Sequence, residues 1–332
     1  MALLFLKARM ALELPAINRA LTDLLQELPA PARRAATHTV TAGGKRLRPM
    51  LTILCSRLFP DEGTARPEKR ADGDIYRLAA TLEMLHAATL MHDDVIDNAD
   101  TRRNHPAAHA LFGNTEAILA GDALLSTANA CVASYGSPRL CEVFSRATAE
   151  TAAGEILELH ALRNAHLAAG EYRSIIRGKT AYLIRAACEM GALHAGATDA
   201  EVAALGLYGE ALGMAFQMVD DALDVADAEV IGKPSGGDLR EGKLTPPLQL
   251  YRDSLSAEEQ ALFNAKFTEG TFTEEEISRI CQEVRNRGFD EQVRSLATSY
   301  LQDAEKTLTI LPRSKEHDIL LEILTYVRDR KH

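Results

Sequence analysis

A chain of 332 residues and 36.1 kDa, with 46% apolar and 25% charged residues, has the balance of a globular protein and can bury a large core. A formal charge of −10 and a pI near 5.5 exclude a general nucleic-acid surface, which would be basic, but leave room for a local basic cluster that takes a phosphorylated ligand. Aromatic residues are only 5%, Trp is absent, and alanine and leucine dominate, which favours helix over sheet.

The first ten residues, MALLFLKARM, hold an apolar run too short for a signal-peptide core or a membrane span. Ile17, Leu21, Leu24, Leu25 and Leu28 then fall on one stripe after Pro15, which suits the first turn of a helix. FPDEGTARPEKRADGD (Phe59 to Asp74) reads as a surface loop. DIYRLAATLEMLHAATLMHDDVIDNA (Asp74 to Ala99) reads as a long helix, and TEAILAGDALLSTANACVASY (Thr115 to Tyr135) as a second, stopped by Gly136 to Pro138. RLCEVFSRATAETAAGEILELHAL is a third. EYRSIIRGKTAYLIRAACEMGALHAG is a fourth, with Gly178 inside it. DAEVAALGLYGEALGMAFQMVDDALDVAD is a fifth. GKPSGGDLREGK (Gly232 to Lys243) reads as a second loop, and the tail from Glu274 as two or three more helices.

No run alternates with period two, and no apolar stretch approaches the roughly 20 residues of a spanning helix. The expectation is one all-α domain over residues 1–332, a bundle of ten or more helices around a central cavity. The five cysteines (Cys55, Cys131, Cys141, Cys188 and Cys281) are odd in number and lack CxxC spacing. They read as reduced thiols of a cytoplasmic protein and not as zinc ligands.

Chemistry concentrates in two acidic clusters. Asp93, Asp94 and Asp97 stand at i, i+1 and i+4, and Asp220, Asp221 and Asp224 repeat the spacing. At about 100° per residue, each trio projects from one side of its helix. Such crowded carboxylates repel unless a hard dication joins them, and oxygen-only ligands favour Mg²⁺ or Ca²⁺ over zinc. Bound by few carboxylates, Mg²⁺ keeps open positions that phosphate oxygens commonly fill. The matching pair of clusters looks like two walls of one site.

Basic groups complement them. GGKRLRP (Gly43 to Pro49) sets Lys45 and Arg48 after a glycine pair. Arg102 and Arg103 follow the first cluster, Lys179 and Thr180 lie in RGKTAYL, and Lys233 and Lys243 lie in the second loop. Together with a dication they suit a diphosphate. GxxxxGK[ST] is absent, and so is GxGxxG after a strand, so this is not a nucleotide fold.

GGKRLRP, DDVID with its two arginines, GKTAYL, and FQMVDDALD followed by GKPSGGDLREGK occur in that order. From about Gly43 to about Pro247 the chain thereby resembles the trans-polyprenyl diphosphate synthases, head-to-tail prenyltransferases, and more specifically their medium- and long-chain, octaprenyl-synthase-like members. The resemblance implies the type I isoprenoid synthase fold, several Mg²⁺ ions, and condensation of an allylic diphosphate (farnesyl or geranyl) with isopentenyl diphosphate. It implies that Lys45, Arg48, His86 and Arg103 hold isopentenyl diphosphate, and that the six aspartates surround the magnesium ions on the allylic diphosphate. Arg102, Lys179, Thr180, Gln217, Lys233 and Lys243 would contact that same diphosphate, with Asp93, Asp94, Asp97, Asp220, Asp221 and Lys179 the catalytic set. The basic end, Arg328 to Lys331, resembles tails that fold over the site.

Two departures stand out. Asn104, His105 and Pro106 replace the usual Gly-x-Pro turn, and the first acidic motif lacks the two-residue insertion of many short-chain members. Two alternatives stand beside this reading: a type I terpene cyclase, which would need only the first motif, and a non-catalytic subunit, which would be expected to have lost aspartates. Product length should be gated by the residues before Asp93, namely Thr89 and Ala88, then Leu85, then Leu82 and Thr81. The first of these turns is small, which points to about C25 to C40, octaprenyl foremost and geranylgeranyl second. The Ala- and Leu-rich stretch Leu111 to Tyr135 points to a homodimer.

Overall fold

The structure, a computed structural model, describes residues 4–59, 74–103, 105–226 and 235–330. Lys233, Asn104, Lys331 and nearly all of the first expected loop lie outside the described residues. The helices are α1 (Leu4–Glu27), α2 (Ala30–Thr41), α3 (Leu47–Arg57), α4 (Ile75–Ile96), α5 (Ala108–Phe112), α6 (Asn114–Ala133), α7 (Pro138–Ala161) and α8 (Ala169–Ile176). A π-helical turn, Arg177–Ala181, leads into α9 (Tyr182–His194). There follow α10 (Asp199–Asp224), α11 (Gly237–Glu241), α12 (Pro246–Asp253), α13 (Ala257–Glu269), α14 (Glu274–Asn286), α15 (Phe289–Thr307), a 3₁₀ turn (Leu308–Ile310) and α16 (Lys315–Arg328). The expected all-α class holds. A two-residue ladder, Thr101–Arg102 against His105–Pro106, is too short to leave an alternating pattern in the sequence.

The chain groups into two compact units. One holds residues 1–149, 183–206 and 310–320, the other 150–182, 207–309 and 321–332. In the first, α4 packs on α1, α3 and α6. It is apolar on nearly every side, from Leu78 to Met91, as a central core helix must be. Its start is set by Asp74, whose carboxylate accepts the Tyr76 N–H at 2.8 Å. Pro15 does not begin α1, which runs from Leu4 with the proline in its interior. Two residues before the proline, the buried Glu13 is anchored on three sides: it accepts from Arg9 of the same helix at 3.2 Å, from the Tyr76 hydroxyl at 2.8 Å, and from Arg57.

In the second unit, α14 buries Ile277, Ile280, Cys281 and Val284, a clean helical stripe. Its start and that of α13 carry capping boxes, Thr273 with Glu276 and Ser256 with Glu259. The expected single helix from Glu171 to Gly196 is interrupted at the π turn. Gly154 of α7 lies so close that a Cβ there would stand 2.2 Å from the Lys179 backbone nitrogen, and one on Gly178 would stand 2.7 Å from the Glu150 carbonyl. Glycine at both positions permits this backbone approach.

Among the described residues, α10 is the one helix long and apolar enough to cross a membrane, where the sequence reading found none. Of its apolar window, 67% is buried inside the protein, the mark of a core helix. All five cysteines are free thiols.

Candidate active site

The first acidic cluster closes α4. Asp94 is buried, Asp93 half-buried, and Asp97 is the exposed residue that ends the helix. Arg102 donates from Nε to Asp94 Oδ1 at 2.6 Å. Arg103 takes a left-handed backbone (φ 51°) and donates to the Gly43 carbonyl. Its guanidinium lies against Gly44 so closely that a Cβ there would be 2.9 Å from Nη1, which gives that glycine a reason beyond its φ of 143°. Arg46, also left-handed, is held by Glu83 at 2.7 Å and by the Val40 carbonyl at 2.6 Å.

Around His86 the structure brings Arg48, Arg102 and Arg103 together. Burial, and then the charges of Arg48, Arg103, Arg102 and Arg46, push the His86 imidazole well below its usual pKa. Arg48 is itself lowered by burial, against the pull of Glu83. Cations crowd here around one neutral ring, the electrostatics of an anion site. Lys45 is exposed on the glycine loop. Sequence reasoning missed Arg46 and Glu83. Glu83 could have been noticed as a lone charge in an apolar helix, one turn before His86.

The second cluster closes α10. Asp220 pairs with Arg330 at 2.9 Å, so one tail residue does reach it. The buried Asp221 accepts from the Tyr172 hydroxyl and from Gln217 Nε2 at 2.9 Å. The Thr180 hydroxyl donates to Gln217 Oε1 at 2.9 Å. Thr180 thus reaches Asp221 through Gln217. Asp224 accepts the Asp238 backbone N–H at 2.9 Å. Lys179 and Lys243 line one cavity of about 100 Å³ with Gln217, Asp221 and Asp238, whose apolar wall is Leu162, Leu167, Ile175 and Ile176.

Asp238 and Tyr172 were not foreseen. Asp238 stands in GGDLREGK outside any DDxxD pattern, and Tyr172, seven residues before Lys179, lies upstream of RGKTAYL and far in sequence from the Asp221 it meets.

The carboxylates around this cavity are in excess. Burial drives the Asp221 carboxyl up to about 7, against the Tyr172 and Gln217 donors, and Asp220 and Asp224 add to the rise. Burial, Asp221 and Asp224 likewise raise Asp238 well above the carboxylate range. The buried Asp238 Oδ2 has no hydrogen-bond partner. Among the described residues no three acidic, His or Cys side chains converge closely enough to ligate one metal ion, and protein donors engage Asp94, Asp221 and Asp224. The donor set nevertheless fits a hard dication: all oxygen, overcharged, with one buried oxygen left over.

Residues 30–284 match the polyprenyl synthetase family. The chain belongs to that family. It is an enzyme of the chain-elongating trans-prenyltransferase class, so the cyclase alternative falls away. It is 38% identical to an octaprenyl diphosphate synthase of Escherichia coli, over 72% of this chain and 71% of the relative. It is 32% identical to a short chain isoprenyl diphosphate synthase of Methanothermobacter thermautotrophicus, over 95% and 94%. The structure resembles a polyprenyl synthase of Caulobacter crescentus crystallised with calcium and isoprenyl diphosphate, with a TM-score of 0.87, 34% identity and 98% of each chain covered. Membership in the polyprenyl synthetase family implies isopentenyl diphosphate and an allylic diphosphate as substrates, and a divalent cation.

Proposed function

We propose that this polyprenyl synthase extends farnesyl or geranyl diphosphate with isopentenyl diphosphate to an all-trans product of about C25 to C40, octaprenyl foremost. One observation carries the length. The turn of α4 before Asp93 is built from Ala88 and Thr89, with Leu85 behind it, so this turn itself sets no aromatic side chain across the path. An isoprene unit is about 5 Å long and a helical turn about 5.4 Å, so each turn back from Asp93 gates about one unit. The likeness to the octaprenyl diphosphate synthase of Escherichia coli favours this length. The short-chain relative, matched over 95% of the chain, favours geranylgeranyl as the second reading.

We assign isopentenyl diphosphate to Lys45, Arg48, His86 and Arg103. With His86 neutral, the arginines carry the charge, and their forked donors suit phosphate oxygens. Asp93, Asp94, Asp97, Asp220, Asp221 and Asp224, with Asp238, would hold Mg²⁺. Bound there, it would neutralise the departing diphosphate. By the family resemblance, Lys179, Lys243, Arg102 and Lys233 would donate to the same group. Gln217 and Thr180 orient Asp221. An apolar wall keeps water from the allylic cation while the isopentenyl double bond attacks it. The released diphosphate takes the proton. We infer a cytoplasmic homodimer. Leu111 of α5 and Ile118 and Leu119 of α6 are exposed, and covering such an apolar face by a second copy would stabilise both.

The test is incubation with farnesyl diphosphate, excess isopentenyl diphosphate and Mg²⁺, followed by mass spectrometry. Products of about C25 to C40 are expected, and Ala88→Phe should shorten them toward C15 or C20 by filling the turn. A wild-type enzyme that stops at C15, or a variant with unchanged products, would place the floor elsewhere.

A further inference from the structure

Glu155 and Glu158 belong to no motif used so far, yet both touch the lysines expected to meet the allylic diphosphate. Lys179 Nζ stands 2.8 Å from Glu155 Oε2 and 2.8 Å from Glu158 Oε1. Lys243 Nζ stands 3.2 Å from the same Glu158 oxygen and 2.7 Å from Glu241 Oε2. One carboxylate oxygen therefore serves two ammoniums from separate segments of the chain. Two like charges this close repel, and each sits on a flexible four-carbon stem. Something must hold them together, and Glu158 is the group placed to do so.

The backbone makes the arrangement stiff. α7 meets the π turn at Gly154 and Gly178 with no room for a Cβ on either, so Glu155, next to Gly154, and Glu158, one turn on, are set against Lys179 by main-chain contact. A π turn at this place also suits a functional position. An ammonium has three N–H donors. Each lysine directs two at carboxylates, which fixes the axis of the third. Glu158, Lys179 and Lys243 line the same cavity as Gln217, Asp221 and Asp238.

The two glutamates differ in strength. Burial acts to raise the Glu158 carboxyl, but Lys243 and Lys179 together bring it below the ordinary glutamate range. For Glu155 burial outweighs Lys179, and the carboxyl is raised. Glu158 is the firm anchor and Glu155 the weaker one.

We propose that Glu158, seconded by Glu155, is a positioning residue that holds Lys179 and Lys243 as a paired ammonium clamp for the diphosphate of the allylic substrate. This rests on the prenyltransferase reading and adds to it the group that sets the lysines. The opposite role is a competing counter-ion, which the diphosphate would have to displace. The two roles predict opposite signs for a neutral replacement.

The experiment compares wild type, Glu158→Gln and Glu158→Asp by steady-state kinetics, varying farnesyl diphosphate and isopentenyl diphosphate in turn. Inorganic pyrophosphate is titrated calorimetrically into the same proteins in Mg²⁺. Glu158→Gln should raise both the farnesyl diphosphate KM and the pyrophosphate Kd about tenfold, the worth of a charge-assisted hydrogen bond. The isopentenyl diphosphate KM should stay within about twofold, and Glu158→Asp should recover part of the loss. Unchanged or tighter pyrophosphate binding, or an equal rise in both KM values, overturns the clamp. Should Glu158→Gln fail to fold, Glu155→Gln carries the test, with a rise of about threefold supporting the clamp and no rise overturning it. A wild-type enzyme that forms no prenyl product would sink the prenyltransferase reading and the clamp with it. An active wild type with unmoved pyrophosphate affinity in the variant would sink the clamp alone.

Discussion

The region around His86 and the region around Asp221 both suit a diphosphate, but they carry opposite balances of charge. At His86, Arg46, Arg48, Arg102 and Arg103 are met by Glu83 and Asp94, and cations are in excess. At Asp221, the lysines Lys179 and Lys243 are already paired with Glu155, Glu158 and Glu241, while Asp220, Asp221, Asp224 and Asp238 crowd one another. The first region can attract an anion as it stands. The second repels one until cations arrive. On the proposed assignment, the enzyme would use Arg48 and Arg103 where binding alone is required and overcharged carboxylate where a leaving group must be neutralised.

The largest expected effect breaks the second region. Asp221→Ala should lower kcat by about a thousandfold or more, with the helical circular dichroism retained, because neutralisation of the leaving group depends on that carboxylate set. A loss below about tenfold would mean that Asp221 serves packing with Tyr172 and Gln217 and not catalysis.

Next comes the support of the first region. Arg46 and Glu83 are both buried, with side-chain exposures of 9% and 6%. Glu83→Gln leaves the Arg46 charge without its partner and should cost roughly 3 to 5 kcal/mol in urea unfolding. A loss under about 1 kcal/mol would show that Arg46 finds water instead.

A smaller effect separates the two substrates. Arg103→Ala should raise the KM for isopentenyl diphosphate about 10- to 100-fold and leave that for farnesyl diphosphate within about twofold. Equal rises would dissolve the assignment of Arg103 to isopentenyl diphosphate.

The gentlest test is pH. Asp221, pushed up to about 7, is largely protonated below that value in the free enzyme. A raised acid pKa favours the protonated folded state, so Mg²⁺ must displace a proton, and its apparent affinity should fall by up to about tenfold per pH unit below pH 7. A flat Mg²⁺ affinity from pH 8 to 6, followed by activity titration, would contradict it.

Much of this was legible in the sequence because it is local. The paired DDxxD spacings, the glycine loop and the long helices each occupy a few turns of chain, and helical period and charge report them directly. What escaped depends on distance. Pro15 has the look of a helix start, whereas α1 begins at Leu4, and the partners of Glu13, Arg57 and Tyr76, come from remote segments. The π turn follows from Gly154 meeting Gly178 and not from any pattern within RGKTAYL. Glu158 has no meaning until Lys179 and Lys243 arrive on either side of it. Asp238 was read as loop charge because its burial against Asp221 and Asp224 has no sequence period. Segments Pro246–Asp253 and Ala257–Glu269 went unread as helices, although the Ser256 capping box marks the start of the second.

The contrast between the two regions is tested most directly by calorimetric titration of each substrate alone, in EDTA and in Mg²⁺. Isopentenyl diphosphate should bind with nearly the same affinity in both, and farnesyl diphosphate should bind measurably only with Mg²⁺. Equal dependence of the two substrates on Mg²⁺, or firm farnesyl diphosphate binding in EDTA, would contradict the account.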